Sequence, residues 1–114
     1  MKKRKIVYVA GAYSAPNVIG VFGNMRRGLK LATQVLQAGF SPFAPWNDMF
    51  FSLLDEVSLE TYYEYSMAFL EKSDAVVVVK EGMEQSKGTQ AEIQRAHELG
   101  IPVYYSLEDL VKSE

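Results

Sequence analysis

The apolar positions of the chain alternate between short β-branched runs and longer stretches of helical period. Ile6-Val7-Tyr8-Val9-Ala10 and Ala75-Val76-Val77-Val78-Val79 are uninterrupted apolar runs, the pattern of parallel strands covered on both faces. Between them, Phe22, Met25, Leu29, Ala32 and Leu36 recur at spacings of 3, 4, 3 and 4, which predicts an amphipathic helix. Arg26, Arg27, Lys30 and Gln34 lie off that stripe, and Gly39 closes the helix as a C′ glycine. Phe40-Ser41-Pro42-Phe43-Ala44-Pro45-Trp46 reads as a short strand running into a rigid loop. Its prolines place it at a sheet edge, because neither can donate to a ladder. Asp48 to Lys72 is predominantly helical, in two pieces with a break near Val57-Ser58. A helix over 88–99 follows the second apolar run. Gly100 ends it, Ile101-Pro102-Val103-Tyr104-Tyr105 forms a fourth strand, and Ser106 caps a short final helix.

This order, β-α-β-α-β-α-β-α, implies an α/β fold with right-handed crossovers: a three-layer α/β/α sandwich around a flavodoxin-like parallel sheet of about four strands. With strand order 2-1-3-4, the loops after the first and third strands flank one crevice at the point where the order reverses, which is where open α/β sheets bind ligands.

The 114 residues suit a single domain spanning 1–114, with one core. Net charge is −2, so nothing electrostatic points to nucleic acid, and Lys2-Lys3-Arg4-Lys5 reads as a solvated lead-in to the first strand. Ile6 to Ala10 is too short for the apolar region of a signal peptide, and no run approaches the ~20 apolar residues of a membrane span. Cysteine is absent, which removes disulfides and thiolate metal sites. The expectation is a cytoplasmic protein without a membrane partner. The segment 48–72 carries Met49, Phe50, Phe51, Leu53, Leu54, Leu59, Tyr62, Tyr63, Tyr65, Met67, Phe69 and Leu70, more apolar surface than one core-facing stripe can bury. Such an excess predicts an interface, and so a homo-oligomer, a dimer or a dimer of dimers.

The candidate chemistry gathers in Ser86-Lys87-Gly88-Thr89-Gln90-Ala91-Glu92-Ile93, a short polar loop between the most strand-like run and a helix. Loop amides and the positive end of the helix dipole favour an anion there. Two readings of Glu92 stand side by side. It can be a nucleophilic carboxylate, or it can complete a capping box with Thr89 three residues earlier. Lys87 reads as a solvated loop charge. The loop Gly11-Ala12-Tyr13-Ser14-Ala15-Pro16-Asn17 would lie on the same sheet edge and bring backbone donors and an aromatic face to a ligand. Trp46 and Asn47, at the end of the second strand, either line the same pocket or simply pack. Asp74 precedes its strand, at the wrong end of the sheet for chemistry, and reads as structural. His97 is the only histidine, without partners for a metal. A phosphoreceiver domain would need acidic residues after the first strand, a flavodoxin a Ser/Thr-rich cradle, and a P-loop a Walker A pattern; none is present.

Taken together, Tyr8-Val9-Ala10-Gly11-Ala12-Tyr13, Ser73-Asp74-Ala75-Val76-Val77-Val78 and Ser86-x-Gly88-Thr89-x-x-Glu92-Ile93-x-x-Ala96 resemble the nucleoside 2-deoxyribosyltransferase superfamily, in order and separation. The resemblance implies that Glu92 is the nucleophile that attacks the sugar C1′ and that Tyr8 supports it. Where the transferases carry an aspartate six residues before the nucleophile, this chain has Ser86. That form resembles the relatives that hydrolyse nucleoside 5′-monophosphates, in which the serine contacts phosphate. A second family aspartate corresponds here to Ser66, with Glu64 on a different helical face. The chain also resembles compact members of the superfamily.

The function this implies is hydrolysis of the N-glycosidic bond of a (deoxy)nucleoside 5′-monophosphate, releasing free base and sugar phosphate. The alternatives are base exchange by a nucleoside 2-deoxyribosyltransferase and a non-catalytic nucleotide-binding module. Ser86, Gly88 and Ser14 would hold the 5′ end, Tyr13 and Trp46 would stack on the base, and Gly11 and Ser66 would line the substrate. Neither a cofactor nor a metal is required, and the helix N-terminus is expected to favour ionised Glu92.

Overall fold

The computed structural model describes residues 3–114; Met1 and Lys2, the latter the first residue of the basic run, lie outside the described residues. Strand β1 (Ile6–Ala10) is paired on both sides, with β2 (Ser41–Phe43) on one flank and β3 (Ala75–Val78) on the other. β4 (Val103–Tyr104) completes a parallel sheet of order β2-β1-β3-β4, so the expected 2-1-3-4 order holds. Pro42 sits on the edge strand as its missing N–H requires, and β4 is short because Pro102 before it cannot donate either. Asp74 closes the opposite end of the sheet: its Oδ2 accepts from the Ile6 amide at 2.8 Å.

Alternating side chains of the strands feed two cores. Val7, Val9, Ala75 and Val77 pack against α1 (Val18–Gln37) and α5 (Leu107–Lys112) on one face. Tyr8, Ala10, Val76 and Val78 pack against α3 (Leu59–Glu71) and α4 (Lys87–Glu98) on the other. Between β2 and α3 the chain makes a 3-10 turn at Pro45–Asp48 and the short helix α2 (Met49–Ser52). The break expected near Val57-Ser58 falls between α2 and α3, where Ser58 caps α3 by accepting from the Thr61 amide at 3.1 Å.

Helix α1 buries a different stripe from the one its apolar spacing predicts. Met25, Gly28, Ala32 and Val35 face the core, whereas Phe22 and Leu36 are about half exposed. The reason is Trp46. Its ring, 1% exposed, lies against Gly28 so closely that a Cβ there would sit 2.4 Å from the indole. A glycine carries no hydrophobic signal, so the pattern of large side chains could not register the face that meets the tryptophan. Phe50, Leu53, Leu54 and Leu59 stay exposed along α2 and the start of α3, Leu54 at 90%. Among the described residues, no helix is long and apolar enough to cross a membrane.

Gly23 and Gly28, two of the three glycines of α1, should therefore respond oppositely to the same change. Gly28→Ala forces a methyl into the Trp46 ring and should destabilise by about 1–3 kcal/mol. Gly23→Ala meets only the tip of Arg27 at 3.6 Å and should stabilise by about 0.5–1 kcal/mol through helix propensity. Urea denaturation of both variants checks the pair; equal shifts would mean that the Trp46 contact is absent.

Candidate active site

Tyr8 occupies the middle of the central strand, with Phe43 and Val76 as its register partners on either side. Its side chain is fully buried and stacks on Phe43, ring centroids 5.4 Å apart. A buried phenol needs a partner for its hydroxyl, and Tyr8 donates to Oε2 of Glu92 on α4. Ser66 of α3 is buried beside the same phenol, close enough to work against the rise in its pKa. That rise comes first from burial and then from the charge of Glu92.

Glu92 keeps part of its surface open, yet its carboxyl is drawn in toward Tyr8. Burial pushes its pKa up to about 7, against the hydrogen bond from Tyr8, which lowers it. The expectation that the helix N-terminus favours ionised Glu92 is therefore corrected. The helix starts at Lys87, so Glu92 lies in its second turn, beyond the reach of the terminal dipole, and desolvation wins.

The capping-box reading also fails. The cap of α4 is Ser86, whose Oγ accepts from the Thr89 amide at 3.2 Å and from the Thr89 hydroxyl at 2.8 Å. Thr89 is inside the helix and buried, and Glu92 turns to Tyr8 instead of a backbone amide. Gly88 follows the cap with open space within 4 Å of where a Cβ would stand.

The remaining candidates divide. Tyr13 is partly buried and donates to Oδ1 of Asp48 at 3.0 Å; burial, then the Asp48 charge, raise its pKa. Ser14 is exposed, and its carbonyl accepts from Asn24 Nδ2 at 3.2 Å. Gly11 packs tightly, since a Cβ there would lie 2.9 Å from Trp46 and 3.0 Å from Val79. Trp46 offers no ring face to a ligand: it is core, with Nε1 donating to the Ala12 carbonyl at 3.1 Å. A lone tryptophan after a strand did not betray that its partner would be Gly28.

Asp48, at the end of the 3-10 turn that follows β2, joins the polar groups at this edge of the sheet through a contact with Tyr13 that the sequence pattern does not register. Burial raises its carboxyl pKa, opposed by the Tyr13 hydrogen bond, and its charge reaches Tyr8. A cavity of about 340 Å³ lined by Phe51, Leu54, Val57, Tyr62 and Tyr65 opens beyond α2, and another of about 600 Å³ runs along Arg26, Arg27 and Lys30 of α1. Neither is lined by Glu92 or Tyr8. Among the described residues, no three His, Asp or Glu side chains gather as a metal site.

Residues 5–106 match the family described as "Domain of unknown function (DUF7768)". No curated protein matches the chain in sequence. Among solved structures, a conserved protein from Enterococcus faecalis superposes with a TM-score of 0.67 at 19% identity, over 89% of this chain and 62% of that one. The chain thus spans less than two thirds of that protein's length. A 2-deoxyribosyltransferase from the psychrotolerant bacterium Bacillus psychrosaccharolyticus superposes with a TM-score of 0.64 at 18% identity, over 86% and 69% of the two chains. At these identities the likeness is one of fold.

A buried carboxylate with a raised pKa costs stability whenever it is ionised. Its folded pKa, about 7, stands above the ordinary carboxylate value, so the native state holds the extra proton and stability falls as pH rises between the two. Glu92→Gln keeps an acceptor for Tyr8 without the charge. Its melting temperature should exceed the wild type's at pH 8.5 and match it near pH 4. A pH-independent difference would contradict the burial of the charge.

Proposed function

The chain belongs to the DUF7768 family, and we propose that it breaks and remakes the N-glycosidic bond of a deoxynucleoside, with Glu92 as nucleophile and a second nucleobase as acceptor. The observation that carries this reading is the Tyr8–Glu92 pair. A partly buried carboxylate held by a phenol, in a sheet whose strand order reverses beside the strand that carries that phenol, suits attack on an anomeric carbon. A Glu92 oxygen bonds to C1′ as the C1′–N bond breaks and its electron pair leaves with the base. The resulting glycosyl ester is then attacked at C1′ by the incoming base, which frees the carboxylate. Tyr8 holds Glu92 in place, and Ser66 steadies the phenol. The shared fold with a 2-deoxyribosyltransferase supports transfer as the first reading.

Hydrolysis of a (deoxy)nucleoside 5′-monophosphate is the second reading, and Ser86 is the observation that favours it. Both acceptor sites of its hydroxyl are taken by Thr89, which leaves its own proton for a phosphate oxygen beside the open N-terminus of α4. In either case the protein works without a cofactor. A second copy packing on the exposed Phe50, Leu53, Leu54 and Leu59 face is part of the same proposal.

Ribo- and deoxyribonucleosides and their 5′-monophosphates, each with and without a second base, separate the readings by chromatography of free base. Base exchange with deoxynucleosides is the expected result, phosphate-dependent base release supports hydrolysis, and binding without turnover leaves a non-catalytic module. Because attack needs the ionised carboxylate, kcat/KM should climb about tenfold per pH unit up to about pH 7 and level off above it. Glu92→Gln should lower it by orders of magnitude at every pH.

A further inference from the structure

Asn24 is half-buried in the first half of α1, where an asparagine weakens the helix relative to an alanine. Its side chain is nonetheless fully engaged. Nδ2 donates to two successive carbonyls of the loop after β1, that of Tyr13 at 3.1 Å and that of Ser14 at 3.2 Å. Oδ1 accepts from Nη2 of Arg27, one turn further along the helix. Only one orientation of the amide allows this, since carbonyls only accept and a guanidinium only donates. Arg27 also reaches the loop after β3, where its Nε lies 3.7 Å from a carboxylate oxygen of Glu81. The two loops meet at the next residue: a Cβ on Gly82 would stand 3.3 Å from that of Ala12. On its far side the β3 loop is held by Gln90 of α4, whose Nε2 donates to the Met83 carbonyl at 2.8 Å.

These are the two loops that follow the neighbouring strands β1 and β3, beside which the strand order reverses. Asn24 and Arg27 join them by way of α1, and Gln90 joins the second to the helix that carries Glu92. With Trp46 donating to Ala12, three consecutive carbonyls of the first loop are turned toward α1 and the end of β2. A planar trans peptide sets its N–H opposite its C=O, so the amides of Tyr13, Ser14 and Ala15 are turned the other way. Resting on the reading of Glu92 above, we propose that Asn24 is a positioning residue for substrate binding: with Arg27 it straps the loop after β1 to the loop after β3 and so fixes the width of the crevice and the direction of its amide donors. Its partners are Tyr13, Ser14 and Arg27, and the Tyr8–Glu92 pair stands on other elements. The effect of Asn24 therefore falls on ground state and transition state alike, on KM and not on kcat. The exposed Arg27–Glu81 pair adds little stability by itself; it gives the strap its second anchor.

Asn24→Asp keeps the size of the side chain and an acceptor for Arg27, and removes only the two donors. With a deoxynucleoside that the wild type turns over, N24D should raise KM about tenfold or more and leave kcat within about threefold. The rise of kcat/KM with pH should still level off at about 7, because Glu92 is undisturbed. Asn24→Ala should behave in the same way. Arg27→Met alone should raise KM about threefold, and added to N24A it should change KM by less than about twofold, since both act through one contact. A residue that only supported the fold would lower the melting temperature and leave KM unchanged well below it. That result overturns the proposal, as does a loss of kcat at constant KM, or effects of the two changes that multiply. Nitrogen-15 relaxation reads the strap without turnover: backbone order parameters at Tyr13, Ser14 and Glu81, about 0.85 in the wild type, should all fall toward about 0.6 in N24A. Loops that stay rigid in N24A overturn the strap. A wild type that cleaves no nucleoside while N24A loosens both loops overturns the reading of Glu92, and with it the substrate role of Asn24, but not the strap.

Discussion

One hydrogen bond organises this molecule: the one from the phenol of Tyr8, on the central strand, to the carboxyl of Glu92, on α4. It ties the innermost polar group of the sheet to the helix that follows β3, and it settles where Glu92 can point. The constraint runs both ways. A buried tyrosine hydroxyl must be satisfied, and a carboxyl that satisfies it from inside the protein loses water and holds its proton more tightly. The same contact thus gives the site a carboxylate poised near neutrality and charges the fold for it whenever that group ionises.

The rest of the architecture can be read as support for that contact. Two cores grip β1 from opposite faces, so Tyr8 has no freedom to shift. The stack of Tyr8 on Phe43 and of Phe43 on Phe69 fills the space beside the phenol with rings. Ser86 fixes the first turn of α4 through Thr89, and so the height at which Glu92 emerges. On the other face, Trp46 pins the end of β2 against Gly28 and Gly11, which sets the turn that carries Asp48.

Much of this was legible in the sequence, and for identifiable reasons. Apolar β-branched runs such as Ile6–Ala10 and Ala75–Val78 have few alternatives to a doubly covered parallel strand, and Pro42 could only sit at an edge. The pairing of Tyr8 with Glu92 was legible because the Glu92 motif combined with two others along the chain. What escaped was decided by partners far apart in sequence. The buried face of α1 turns on a glycine that meets Trp46, the cap of α4 moved from Thr89 to Ser86, and Trp46 went to the core. The contact of Asp48 with Tyr13 escaped for the same reason, since the two are 35 positions apart in the chain.

The central claim is a covalent one, that a sugar passes through an ester on Glu92. Incubation with a 2-fluoro-substituted deoxynucleoside, whose fluorine slows release of the sugar by destabilising the oxocarbenium-like transition state, followed by trypsin digestion and mass spectrometry, observes it directly. The account predicts one fluorosugar on the peptide running from Gly88 to Arg95, located at Glu92 and released when a second base is added. Release of base with that peptide unmodified, or an adduct on any other side chain, would contradict it.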